Sequence, residues 1–135
     1  MQDLLFALGL VLFLIGLLNG LVVPAMKNPR MGLSSHLVCM TNGPFLIVVG
    51  LLWPKLDLSH GWQVTTIVLL TYASYANWRA TQLGALWGAG HKPAPLATGD
   101  HRASPLQERI VEFLFVSLVP VFIAATVLLL VGVLR

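Results

Sequence analysis

Charge is scarce in this sequence, with 8 Lys or Arg and 5 Asp or Glu among 135 residues. Charged residues make up 10% of the chain, against about 25% in an ordinary soluble domain. Apolar residues make up 57%, and the mean hydropathy is +0.85. A water-soluble globule of this length has no way to hide so much apolar surface. The shortage of charge therefore excludes most soluble enzymes, and it excludes disorder, whose composition is the opposite. The net charge of +3 is spread over the stretches between apolar runs. With no basic patch, the chain does not read as a nucleic-acid binder. Cysteine is represented once, by Cys39. One cysteine forms no internal disulfide, and without CxxC or CxxCH there is neither a zinc ribbon nor a covalently attached haem. Among apolar neighbours, Cys39 reads as a small buried hydrophobe. No glycine-rich phosphate loop is present to hold a nicotinamide or a flavin.

What is there is long apolar runs. A bilayer core of roughly 30 Å takes about 20 apolar residues per helix. Four runs meet that length, over about 4–23, 33–53, 62–88 and 106–134. The first carries no charge, lacks a basic leader and exceeds a signal-peptide core, so it reads as a retained span. Pro24 and the stretch AMKNPRMG break it, and Pro54 with Lys55 ends the second. Pro120 sits inside the fourth, which a membrane helix tolerates. The connection over about 89–105 is rich in Pro, Gly and His and belongs in water. The expectation is an all-α integral membrane protein, residues 1–135 forming one four-helix bundle. Lys27, Arg30, Lys92 and Arg102 lie on the two odd connections, with Arg109 close by. The positive-inside rule then places both termini outside the cytoplasm.

Polar side chains within spans are expensive, so they face the bundle interior, a cavity or a neighbouring subunit. Two clusters stand out. In SSHLVCMTNG, His36 and Asn42 are six residues apart, which turns them about 120° from each other on a helix. On spacing alone His36 reads first as an interfacial imidazole, wetted or hydrogen-bonded; its second reading is an axial ligand to iron. Asn42-Gly43 reads as helix–helix glue. In TYASYANWRATQLGALWGAG, Tyr72, Tyr75 and Arg79 share a helical face while Asn77 points elsewhere. Trp78, Trp87 and Tyr75 also suit the aromatic belt at a membrane surface. Aromatic rings with an amide and a cation suit a small aromatic substrate. At the start of the fourth span, Glu112 follows Arg109 by three, a local ion pair, or else a carboxylate available for proton transfer. GLLNG and GALWG place Gly16, Gly20, Gly84 and Gly88 on small-residue faces suited to close helix contact.

The segment TYASYANWRATQLGALWGAG, the Pro/Gly connection after it and SPLQERIVEFLFVSL resemble hydroxylaminobenzene mutase over the whole chain. YANW and WGAG are the most specific pieces. The resemblance implies a multi-pass isomerase of the bacterial inner membrane that turns hydroxylaminobenzene into 2-aminophenol. A more remote likeness, carried by His36, Asn42-Gly43, Pro54 and Asn77, is to styrene oxide isomerase, a small four-helix membrane enzyme that binds haem b. That likeness implies His36 as the axial ligand of a ferric haem b, Asn42 and Asn77 beside the substrate, and a homotrimer. The styrene oxide isomerase aspartate of the third span is missing here, where Ala73 or its neighbour stands. The tyrosines are also placed differently, so the pockets should differ. Tyr72, Tyr75 and Glu112 are the candidates for handling protons. The expected partners are an aromatic hydroxylamine, membrane lipid and further copies of the chain, with no nucleic acid. Two other classes stay open: a haem-b anchor or electron carrier, and a small multidrug-type transporter. The first usually needs two axial ligands within spans, and the second a mid-membrane carboxylate in its first span. Neither is present.

Overall fold

A computed structural model describes all 135 residues. The chain is all-helical: α1 is Gln2–Val22, α2 Pro29–Leu52, α3 His60–Trp87, α4 Pro95–Thr98 and α5 Pro105–Leu134. Single 3-10 turns, Val23–Ala25 and Trp53–Lys55, follow α1 and α2, each built around its proline. Helix α2 begins four residues earlier than the apolar run, because Asn28 and Pro29 form its start. The Asn28 side chain accepts from the Met31 amide at 3.1 Å, and Pro29 fills the first helical position, where its missing N–H has no consequence. Ser104 and Gln107 cap α5 reciprocally, and Gly88 ends α3 in the left-handed region at φ 72°. Pro44 and Pro120 lie inside α2 and α5, so the Met40 and Val116 carbonyls lose their usual helical donors.

Three helices are long and apolar enough to cross a membrane: α1 and α2 with the turns that follow them, and α5. Helix α3 has the length, with 28 residues, but its polar second half lowers its hydropathy. The long helices pack in sequence, α1 on α2, α2 on α3 and α3 on α5. Their seam is lined by Leu5, Leu12, Cys39, Leu46, Ile67 and Leu70. Outward the molecule is as apolar as inward. Leu10, Leu14, Leu18 and Leu21 of α1 and Phe113, Val116, Ile123 and Leu130 of α5 are exposed. An apolar exterior of this extent suits lipid or another apolar chain, not water.

Glycine sets the closest approach. A methyl group on Gly9 would lie 2.6 Å from the Gly43 carbonyl oxygen, and one on Gly16 would lie 2.7 Å from the Cys39 Cβ. The small-residue faces expected from GLLNG and GALWG are thus used within the chain. Gly16 and Gly20 meet α2, Gly84 meets Met31, and Gly88 is a helix terminator.

The 89–105 connection is not a loose solvent loop. It contains α4, and Ala89, Gly90 and Thr98 are buried. The α1–α2 link holds it. Lys27 donates to the carbonyls of Trp87 and Arg102, Asn28 to that of Ala97 and Arg30 to that of Leu96. From α5, Glu108 accepts from the amides of Gly90 at 2.9 Å and His91 at 3.1 Å. Glu112 pairs with Lys92 rather than with Arg109, because the folded connection brings the lysine to the carboxylate. Replacing Glu108 by Ala leaves two amides without their charged acceptor. The expected loss is about 2 kcal/mol of stability, read as a lower thermal midpoint in detergent with the helix content unchanged.

Candidate active site

His36 lies on α2, seven residues from the helix start, or about 10 Å along the axis. Its ring is half-buried and rests on the glycine face of α1. The Nδ1 atom is 2.7 Å from the Gly16 carbonyl oxygen. A carbonyl only accepts, so Nδ1 carries the proton and donates. The neutral imidazole then presents Nε2 as a bare lone pair, and no side chain or backbone group of the protein bonds to it. The position is available because residue 20 is glycine. A methyl group there would come within 3.1 Å of the ring's Cε1 and Nδ1. Gly20 is itself exposed, so the imidazole sits at the rim of the α1–α2 contact.

Six residues along α2 from His36, and so about 120° around it, Asn42 is buried and its Nδ2 has no partner. The bond between Ser35 and Gln82 fixes the antiparallel register of α2 and α3. Two helical turns along from that bond, Asn42 stands level with Tyr75. On α3, Thr71, Ser74 and Trp78 fall on the stripe that includes Gln82. Each keeps a buried polar atom without a partner, Oγ1, Oγ and Nε1 respectively. Four of the six such side-chain atoms in the chain are thus on Asn42 and on this stripe of α3.

The tyrosines diverge. Tyr75 reaches across to donate to the Leu8 carbonyl of α1 at 2.9 Å, while the Tyr72 hydroxyl is 2.7 Å from Ser117 Oγ on α5. Tyr75 meets Trp78 edge-on, and the Arg79 guanidinium lies 5.0 Å from the Trp78 ring centre. The Asn77 side chain is half-buried and makes no hydrogen bond within the chain. Glu112 is at the capped end of α5. No single cavity gathers these groups. The clefts are open ones, a polar cleft of about 350 Å³ between the start of α2 and residues 97–101 and shallow apolar hollows on α5, of which one includes Glu112. His36 and Tyr75 reach backbone carbonyls of α1 and Tyr72 reaches α5, and no hydrogen bond joins these groups to one another or to the Asn42 and Asn77 side chains.

Sequence reasoning passed over a buried chain of polar groups one residue from His36. Asn19 Nδ2 donates to Ser35 Oγ at 3.2 Å, and Ser35 Oγ donates to Gln82 Oε1 at 2.8 Å. The signal was available, since Asn19 is an amide inside an otherwise uncharged apolar run, between Gly16 and Gly20.

A single imidazole with its Nδ1–H held by a carbonyl and its Nε2 free is the donor set of a proximal haem ligand. Nowhere in the chain do three or more His, Cys, Asp or Glu side chains form a metal-holding group. An iron on His36 would thus bring its remaining ligands with it, as a porphyrin does. The residues present fit the group.

The chain is 60% identical to hydroxylaminobenzene mutase HabA of Ectopseudomonas oleovorans over 135 residues, the full length of both proteins. It is 46% identical to hydroxylaminobenzene mutase HabB of the same organism over 114 residues, 84% of this chain and 70% of that protein. No solved structure matches it. The family model described as styrene oxide isomerase matches residues 1–134, and the chain belongs to that family of isomerases.

Proposed function

We propose that the chain is a membrane isomerase that converts hydroxylaminobenzene to 2-aminophenol. The likeness to HabA over the full length of both chains carries this reading. The reaction moves a hydroxyl from nitrogen to the ortho carbon of the same molecule. It consumes no reductant or oxidant and keeps every atom: the N–O bond breaks, a C–O bond forms at the ortho carbon, and the proton lost from that carbon is balanced by one gained at nitrogen. The difficult event is cleavage of the N–O bond.

His36 is the residue proposed to hold a haem b, through the free Nε2 that the Gly16 carbonyl leaves it. Ferric haem, when bound, supplies a Lewis acid for the hydroxyl oxygen. Asn42 supplies an unpartnered N–H and Asn77 an uncommitted amide, both suited to orienting the hydroxylamine and its oxygen. The apolar surroundings keep water from the para carbon, where attack would divert the product. Glu112, with a side chain 32% exposed, is the carboxylate assigned to take up the ring proton. Tyr72 and Tyr75, which brace α5 and α1, are the further candidates for handling protons. The working unit is a homotrimer of four-span protomers in the bacterial inner membrane, with α3 spanning alongside α1, α2 and α5. Its polar half is then covered by neighbouring helices, and neighbouring copies supply the walls that one protomer lacks.

Washed membranes carrying the protein should convert hydroxylaminobenzene to 2-aminophenol, measured by chromatography, with no added cofactor. An electron carrier or a transporter would leave the substrate unchanged. Conversion no faster than in membranes from cells without the protein overturns the proposal.

A further inference from the structure

We propose that Asn19, Ser35 and Gln82 are positioning residues for His36, a polar latch that fixes α1 against α2 so that the Gly16 carbonyl meets the imidazole. The inference rests on the reading of His36 as the ligand that the reaction needs. Asn19 and Ser35 are buried on facing sides of the α1–α2 contact, and Gln82 reaches the same hydroxyl from α3. The Ser35 hydroxyl links the two amides, accepting from Asn19 Nδ2 and donating its one proton to Gln82 Oε1. Ser35 directly precedes His36, and Asn19 lies within one turn of both Gly16 and Gly20.

The latch is needed because the rest of the α1–α2 contact is poor in directional information. It consists of glycines against backbone and apolar side chains. In a membrane no hydrophobic gain holds such surfaces together, since lipid tails are as apolar as the helices, and their register rests on close packing alone. A shift of one turn along α1 would move the Gly16 carbonyl by about 5 Å and release Nδ1. The imidazole could then change tautomer, and Nε2 would no longer be the free lone pair. A three-helix hydrogen-bonded chain adds directional bonds to the register that packing sets, at the residue next to His36. A proton-relay role is unsuited to these residues, because two of the three groups are amides, which do not exchange protons readily.

The test compares Ser35→Ala and Gln82→Met with Gln82→Glu, which keeps an acceptor oxygen at the same place, and with His36→Ala. All are purified in detergent with helix content and thermal midpoint recorded. The readouts are kcat, KM and the visible absorption band that His36→Ala removes. Ser35→Ala and Gln82→Met should lower kcat by about tenfold, leave KM nearly unchanged and shift that band, as losing an outer partner of a ligand does. Gln82→Glu should restore both. If Ser35→Ala does not assemble, Asn19→Leu removes the donor while keeping the volume. Wild-type kcat and an unmoved band in Ser35→Ala and Gln82→Met, with His36→Ala inactive, overturn the latch alone. Full activity in His36→Ala overturns the reading of His36, and the latch with it.

Discussion

Replacing His36 by Ala should lower the rate of 2-aminophenol formation by about a thousandfold, the several kcal/mol that a Lewis acid contributes. The same change should remove the Soret band of the purified protein. Both effects follow from one geometric fact, that Nδ1 is engaged by Gly16 and Nε2 is not engaged at all. Stability should change little, because the ring is half-buried and forms one hydrogen bond at the rim of the α1–α2 contact. Loss of activity together with loss of folding would place His36 among the packing residues instead. Unchanged turnover in a variant without the band would remove haem from the mechanism and leave acid–base catalysis by Glu112 and the tyrosines.

Gly9→Val should unfold or disassemble the bundle rather than inactivate it selectively. The first carbon of any side chain at this position would lie 2.6 Å from the Gly43 carbonyl oxygen and 2.7 Å from Ile47. The oxygen belongs to the backbone, so no rotamer change relieves the contact, and the helices must part. Overpacking of this kind costs about 3 kcal/mol. Parting α1 from α2 also pulls the Gly16 carbonyl from His36. A lower thermal midpoint and loss of helical signal on mild heating would confirm it, whereas a Gly9→Val protein as stable as the wild type would show that the two helices do not approach at this point.

The helices were legible in the sequence because lipid imposes so simple a demand, about 20 apolar residues between polar breaks. Their ends were less so. The start of α2 depended on Asn28 and Pro29, a capping pair read at first as part of a break. The ion pair of Glu112 with Lys92 was invisible for a different reason. It depends on where the 89–105 connection folds, and local spacing favoured Arg109 instead. Among site residues, periodicity turns His36 and Asn42 about 120° apart; the His36 ring rests on the glycine face of α1, and Asn42 is buried without a partner for its Nδ2. It also put Tyr72 and Tyr75 on one face, yet the two hydroxyls reach opposite neighbours, α5 and α1. A tyrosine is long enough that its ring direction matters as much as its place on the helix. The tautomer of His36 was beyond sequence altogether, since it is set by a carbonyl twenty residues away on another helix.

The clamp formed by Lys27, Asn28 and Arg30 on residues 87–102 bears on how the protein can be handled. A proline- and glycine-rich connection invites use as a place to insert an epitope, a reporter for membrane sidedness or a protease site. Here the backbone carbonyls of that connection are the acceptors for three side chains of another link, and Gly90 is sandwiched among Met31, Thr98 and Val111. An insertion would open the end of the bundle.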